Sequence, residues 1–202
     1  MNILCFGDSL TSGYIPDARA HPYSLSLQRH FQNSAKPVSI TTEGYPGDTV
    51  LGLGQFQLRL EATLAEADDF ARPFNWVIIM GGTNDLGRGA RPADVVVGLV
   101  MLWDMAKEHG AKVLVLSILE MVAESDPGHR QKCLEFSDIL KKTAADPVHD
   151  VMFFDLRAAF PYHSLSGADK KRLFADGLHP TAEGYDRIGA LRSEEHTSEL
   201  QS

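Results

Sequence analysis

The chain has 202 residues and a net charge of −8, with 44% hydrophobic and 23% charged residues. That length and composition suit one domain with a real core. The acidic balance, without a basic block, argues against nucleic acid as a partner, and no apolar run approaches the roughly 20 residues a membrane span needs.

The first apolar run, 2–6, reads as a buried strand that stops at Gly7-Asp8-Ser9. Residues 1–15 hold no Lys or Arg, unlike a secretory leader, so an intracellular, cytoplasmic location is expected. Residues 22–32 read as a helix with Pro22 near its first turn. The β-branched stretch 38–44 reads as a strand. Residues 49–67 read as a helix weakened at its start by Gly52 and Gly54. The run 75–82 is the clearest buried strand. A helix is expected over 91–110, from Pro92 to Gly110. A strand follows at 111–119, a helix at 129–146 and a strand at 150–156. Residues 157–180 show no clear element, and long irregular stretches in compact domains are often functional. From Thr181 a last helix places Tyr185, Ile188 and Leu191 on one face. Cys5 and Cys133 are too few and too far apart for a disulfide framework, and both read as buried free thiols.

Five strands thus alternate with helices, and the strands are continuous apolar runs. Parallel strands covered on both faces read this way. The expected architecture is a three-layer α/β/α domain over 1–191, with a five-stranded parallel sheet in the flavodoxin-like order 2-1-3-4-5. Ligands of such sheets bind beyond the carboxyl ends of the strands. Gly7-Asp8-Ser9, Gly44 to Gly47 and Gly81 to Asp85 should meet there, and Ala175 to Pro180 follows strand 5.

Each stretch has a plain reading. Ser9 could cap a helix, and Asp8 could hold the turn or be a solvated acid. Gly47 and Asn84 could be turn residues, and Asp176 could simply cap the turn before the last helix. Chemistry gives them another. A serine nucleophile needs a base, and the base needs an orienting acid. His179 follows Asp176 by three residues, so one turn lets the carboxylate bond one imidazole nitrogen while the other faces out. Acyl transfer also needs donors aimed at an oxyanion, and a glycine N–H or an asparagine amide can serve. No phosphate-loop pattern is present. Metal-ligand spacing does not extend beyond the Asp176–His179 pair.

G-D-S-L at Gly7–Leu10, G-x-x-G-D-T at Gly44–Thr49, G-x-N-D at Gly82–Asp85 and D-x-x-H-P at Asp176–Pro180 occur in that order. With these blocks the chain resembles the SGNH hydrolases, the GDSL family of esterases and lipases, from Phe6 to about Leu191. The resemblance implies Ser9 as nucleophile, His179 as base and Asp176 as its orienting acid. It implies an oxyanion hole from the Ser9 and Gly47 N–H groups and the Asn84 side chain. It also implies a metal-independent reaction on small esters with no cofactor. Tyr14, Tyr45, Leu86 and Phe174 lie near the blocks and could line a substrate pocket. Short loops favour a shallow site and a short acyl group. Within the family that it resembles, a carbohydrate acetylesterase, a thioesterase and a lysophospholipase are alternatives. A non-catalytic flavodoxin-like binding module is the alternative from another class, and it would usually have lost one of Ser9, Asp176, His179 or Asn84.

The segment Arg192–Ser202 breaks the preceding apolar pattern and resembles a translated sequencing adapter. It is expected to be non-native, with the closing helix cut after Leu191.

Overall fold

A computed structural model describes the backbone of residues 1–33, 37–52 and 55–200, and their side chains apart from Asn33 and 192–200. The chain begins with β1 (Asn2–Gly7), a single turn α1 (Ser9–Ser12), α2 (Ser24–His30) and β2 (Ser39–Gly44). There follow α3 (Gln55–Asp69), β3 (Trp76–Met80), α4 (Thr83–Gly87), α5 (Pro92–Glu108) and β4 (Lys112–Leu116). The last part holds α6 (Pro127–Ala144), β5 (Met152–Phe154), α7 (Leu156–Ala159), α8 (Gly167–Leu173) and α9 (Ala182–Leu200).

The five strands are parallel and ordered β2-β1-β3-β4-β5, as the strand pattern predicts. Alternate residues of each strand enter two different cores. Leu4, Phe6, Val77, Ile79, Val113 and Val115 pack with α3, α5 and α6 on one face. Ile3, Cys5, Ile78, Met80, Leu114 and Leu116 pack with α2, α9 and Phe160 on the other. Both faces being dry is why these strands read as unbroken apolar runs. Cys5 and Cys133 are buried and are not joined in a disulfide. No helix among the described residues is long and apolar enough to cross a membrane.

Some boundaries differ from the sequence expectation, for local reasons. The helix expected from residue 49 begins at Gln55. Carboxylates capture the backbone before it: Thr49 N donates to Asp48, and Val50 N and Leu51 N donate to the two oxygens of Asp85. This holds 49–51 as a loop. The helix expected from 129 starts at Pro127, because Asp126 caps it by accepting from His129 N at 2.8 Å. The stretch 157–180 is not featureless. It holds the end of α7 and all of α8, which Ser166 caps by accepting from Asp169 N at 3.1 Å. The backbone of α9 continues to Leu200. The expectation of a non-native tail falls on residues whose side chains lie outside those described.

Candidate active site

Gly7 at the end of β1 lies opposite Gly44 in β2 and Met80 in β3, so three loops leave the sheet side by side. Ser9 follows immediately as the first residue of α1. Asp8, rather than Ser9, caps this turn, its carboxylate accepting from Leu10 N at 2.9 Å. Asp8 is therefore a buried cap and not a solvated acid. The Ser9 hydroxyl is left for another task, and its N–H has no partner within the helix. At Gly44 a Cβ would lie 2.1 Å from Ser12 N, so only glycine lets α1 rest on the end of β2.

His179 sits in a turn closed at its base. Phe174 and Pro180 form an isolated antiparallel bridge, Ala175 N donates to His179 O at 2.8 Å, and Thr181 N donates to Leu173 O at 2.9 Å. Val122 N, in the turn Val122–Ser125, donates to Gly177 O at 2.8 Å and holds the tip. Inside this frame one Asp176 oxygen accepts from Leu178 N at 2.9 Å and His179 N at 2.7 Å. The other oxygen lies 2.7 Å from His179 Nδ1, and His179 Nε2 lies 3.0 Å from Ser9 Oγ. A carboxylate can only accept, so Nδ1 carries the proton and Nε2 turns its lone pair to the Ser9 hydroxyl. Burial works to raise the Asp176 pKa, but hydrogen bonds from the His179 ring and from the His179 and Leu178 amides outweigh it and hold the carboxyl below its ordinary value. The structure thus brings Ser9, His179 and Asp176 into one hydrogen-bonded chain.

The two remaining candidates meet across Asp48. Gly47 has φ +80°, a conformation that favours glycine, and its carbonyl accepts from Arg88 Nη2 at 2.8 Å. Among the described residues its N–H has no acceptor. Asn84 Nδ2 donates to Asp48 O at 2.8 Å, which uses one of its two hydrogens and leaves the other available. Asp85 is buried, and burial pushes its pKa up against the two amides of Leu51 and Val50 that it binds. It pins the loop after β2 to the loop after β3.

The four possible pocket residues divide. The Tyr14 ring meets the His179 ring edge-on at 4.8 Å and is 40% exposed. Tyr45 is 59% exposed, and its backbone N–H donates to Gly7 O at 3.2 Å. Leu86 and Phe174 are buried and pack in the two cores. Arg59 and Arg88 were not expected at the site. Each is an ordinary surface residue by local pattern, and only the tertiary fold brings it here. Among the described residues no cluster of His, Cys, Asp and Glu suited to a metal ion occurs.

A parallel sheet in this order, with such a serine, histidine and aspartate beyond its strand ends, points to the esterase and acylhydrolase class of α/β/α enzymes. Residues 5–187 match the GDSL-like lipase/acylhydrolase family, and the chain belongs to that family of ester-hydrolysing enzymes. Esterase TesA of Pseudomonas aeruginosa is 28% identical over 187 residues, covering 92% of this chain and 83% of that protein. The lipase/acylhydrolase from Enterococcus faecalis superposes with a TM-score of 0.77 at 24% identity, over 98% of this chain and 96% of the other. Axe2, an acetylxylan esterase from Geobacillus stearothermophilus, superposes with a TM-score of 0.71 at 21% identity, over 96% and 93% of the two chains.

Proposed function

We propose that this enzyme hydrolyses small carboxylic esters with short acyl groups through an acyl-enzyme on Ser9. The observation that carries the reading is the 3.0 Å contact of His179 Nε2 with Ser9 Oγ, continued at 2.7 Å from Nδ1 to Asp176. In this reading His179 takes the Ser9 proton as Oγ attacks the ester carbonyl. The carbonyl π electrons move to oxygen, and that oxyanion is bound by the Ser9 and Gly47 N–H groups and the free Asn84 hydrogen. Collapse expels the alcohol, which takes the proton from His179. Water then attacks the acyl-enzyme by the same route, releasing the acid and restoring Ser9.

The walls support the short acyl group. Leu86 and Phe174, the two aliphatic or phenyl candidates for the pocket, are packed in the cores. The Tyr14 ring that meets His179 edge-on is 40% exposed. Such a wall suits a shallow, open site. The same ring favours a second reading in which the alcohol is an acetylated sugar, since a flat aromatic face packs well against a sugar ring.

Hydrolysis of p-nitrophenyl acetate and p-nitrophenyl octanoate, with Ser9→Ala beside the wild type, tests this. The expected result is faster acetate turnover that Ser9→Ala abolishes. Faster octanoate turnover would overturn the short-chain part, and unchanged turnover in Ser9→Ala would overturn the nucleophile. Release of acetate from an acetylated xyloside, compared with p-nitrophenyl acetate, separates the sugar reading from the simpler one.

A further inference from the structure

We propose that Arg59 is a positioning residue that sets the oxyanion hole by fixing the ends of two strands and the residue after Gly47. The inference rests on the reading of Ser9, Gly47 and Asn84 given above.

Arg59 lies on α3, outside every motif block. Its side chain is 23% exposed, and that of Asp48 is 1% exposed. Four of the five N–H donors of its guanidinium are used. Nη2 donates to Gly7 O at 2.8 Å and Nη1 donates to Glu43 O at 3.2 Å. Nε and Nη2 both donate to one oxygen of Asp48, at 3.0 Å and 2.9 Å. The group also stacks over the Phe6 ring, 4.4 Å from its centroid, with Phe56 at 5.4 Å. The planar fork and the ring stacking suit arginine and not lysine.

These acceptors map onto the site. Gly7 stands two residues before Ser9, Glu43 is next to last in β2, and Asp48 directly follows Gly47. The third donor is reached through Asp48, whose carbonyl accepts from Asn84 Nδ2 at 2.8 Å. One cation therefore touches the β1 end and the β2 end directly and the loop after β3 through a single residue. Arg88, which donates to the Gly47 carbonyl at 2.8 Å, holds the same loop through a second bond. Oxyanion donors work only when their positions are fixed before the charge forms, and losing one such donor costs roughly 10²–10³-fold in kcat in a comparable hydrolase. A displaced Gly47–Asp48 segment would misplace two of the three.

An arginine that only stabilised the fold would lower the melting temperature and leave the kinetics of the folded protein alone. The test therefore uses Arg59→Met and Arg59→Lys in the full chain, assayed where circular dichroism shows them folded. Wild type and Ser9→Ala are run beside them. The readouts are kcat and KM on p-nitrophenyl acetate and the affinity of butylboronic acid, which forms a tetrahedral adduct on serine. We expect kcat to fall about 10- to 100-fold with KM within about threefold, and the boronic acid to weaken in parallel, by the logic of donor loss. Arg59→Lys should recover little, because one nitrogen cannot reach Gly7 O, Glu43 O and Asp48 together. If Arg59→Met fails to fold, Arg59→Lys carries the test with the same readouts. Unchanged kcat and unchanged boronic acid affinity in a folded variant would overturn the role of Arg59 while leaving Ser9 in place. Full turnover in Ser9→Ala, or no turnover from folded wild type, would overturn the underlying reading and this proposal with it.

Discussion

The hydroxyl of Tyr185 donates to the carbonyl of Tyr14 at 2.9 Å. This bond ties the buried face of α9 to the loop that leaves α1, and Tyr14 in turn rests its ring against His179. The closing helix thus touches the candidate base through two residues.

Replacing Tyr185 by Phe removes that donor without changing the packing. A hydrogen bond of this kind contributes about 1 kcal/mol. The melting temperature should drop by about 2–4 °C, the shift such a loss gives in a chain of this size. A small fall in kcat should accompany it as the Tyr14 ring loosens. Thermal melts and ester assays on Tyr185→Phe check both, and an unchanged melting temperature would show that water replaces the bond without loss.

Asp176→Asn should damage catalysis far more than stability. The asparagine oxygen can still accept from the Leu178 and His179 amides, so the turn survives. Its NH2 would then face Nδ1 and favour the wrong imidazole tautomer, a change that costs about 10⁴-fold in kcat in the serine-protease triad. We expect a loss of at least about 10²-fold here, since this carboxylate is partly exposed, with a melting temperature near wild type. Activity within a few-fold of wild type would show that Asp176 does not orient His179.

Asp8 gives a signed pH dependence. Burial raises its pKa to about 7, the Leu10 amide works against this, and the charges of Asp85 and Asp48 add to it. In the unfolded chain the value is 3.8. The folded state therefore binds more proton between those values, so this contribution is whole at low pH and is lost as pH rises through about 7. Asp8→Asn is neutral throughout and can still cap Leu10 N. Relative to wild type it should gain melting temperature from about pH 5 to about pH 8. Parallel melting curves for the two proteins across that range would refute the shift.

Gly44→Ala tests the seating of the nucleophile. The new Cβ would lie 2.1 Å from Ser12 N, 2.6 Å from Ser12 Cα and 2.8 Å from Asp8 O, all backbone that cannot rotate aside. Either β2 or α1 must shift. Overpacking of this kind costs about 1–3 kcal/mol, and a shift of α1 moves Ser9 away from His179. Melting and ester turnover should both fall, with turnover lost even where the protein remains folded. Wild-type activity in Gly44→Ala would mean that α1 is not held against this strand.

The sheet was legible because its signal is local. Continuous apolar strands broken by helical stretches fix a parallel sheet with both faces covered, and the four motif blocks mark its carboxyl edge. Ser9, Asp176 and His179 became candidates only through the resemblance that the four blocks carry together, since each alone also reads as a cap or a turn residue. The start of α3 was not legible, because its limit is set by Asp85, a residue distant in sequence that takes the amides of Val50 and Leu51. The capping role of Asp8 was open until its burial was known. α8 was readable in principle from Ser166 and Asp169, spaced as a capping pair. Arg59 was not readable, since its partners Gly7, Glu43 and Asp48 lie on other elements.

The turn that carries His179 is closed by the Phe174–Pro180 bridge and pinned at Gly177 by Val122. An imidazole on a free loop would have to be collected from many orientations at every encounter with an ester. Here that search ends when the chain folds, so the approach of substrate need organise only the substrate itself. The site is accordingly closer to a fixed jig than to a closing hand, and its rate should track how well an ester fits the gap rather than how fast a loop moves.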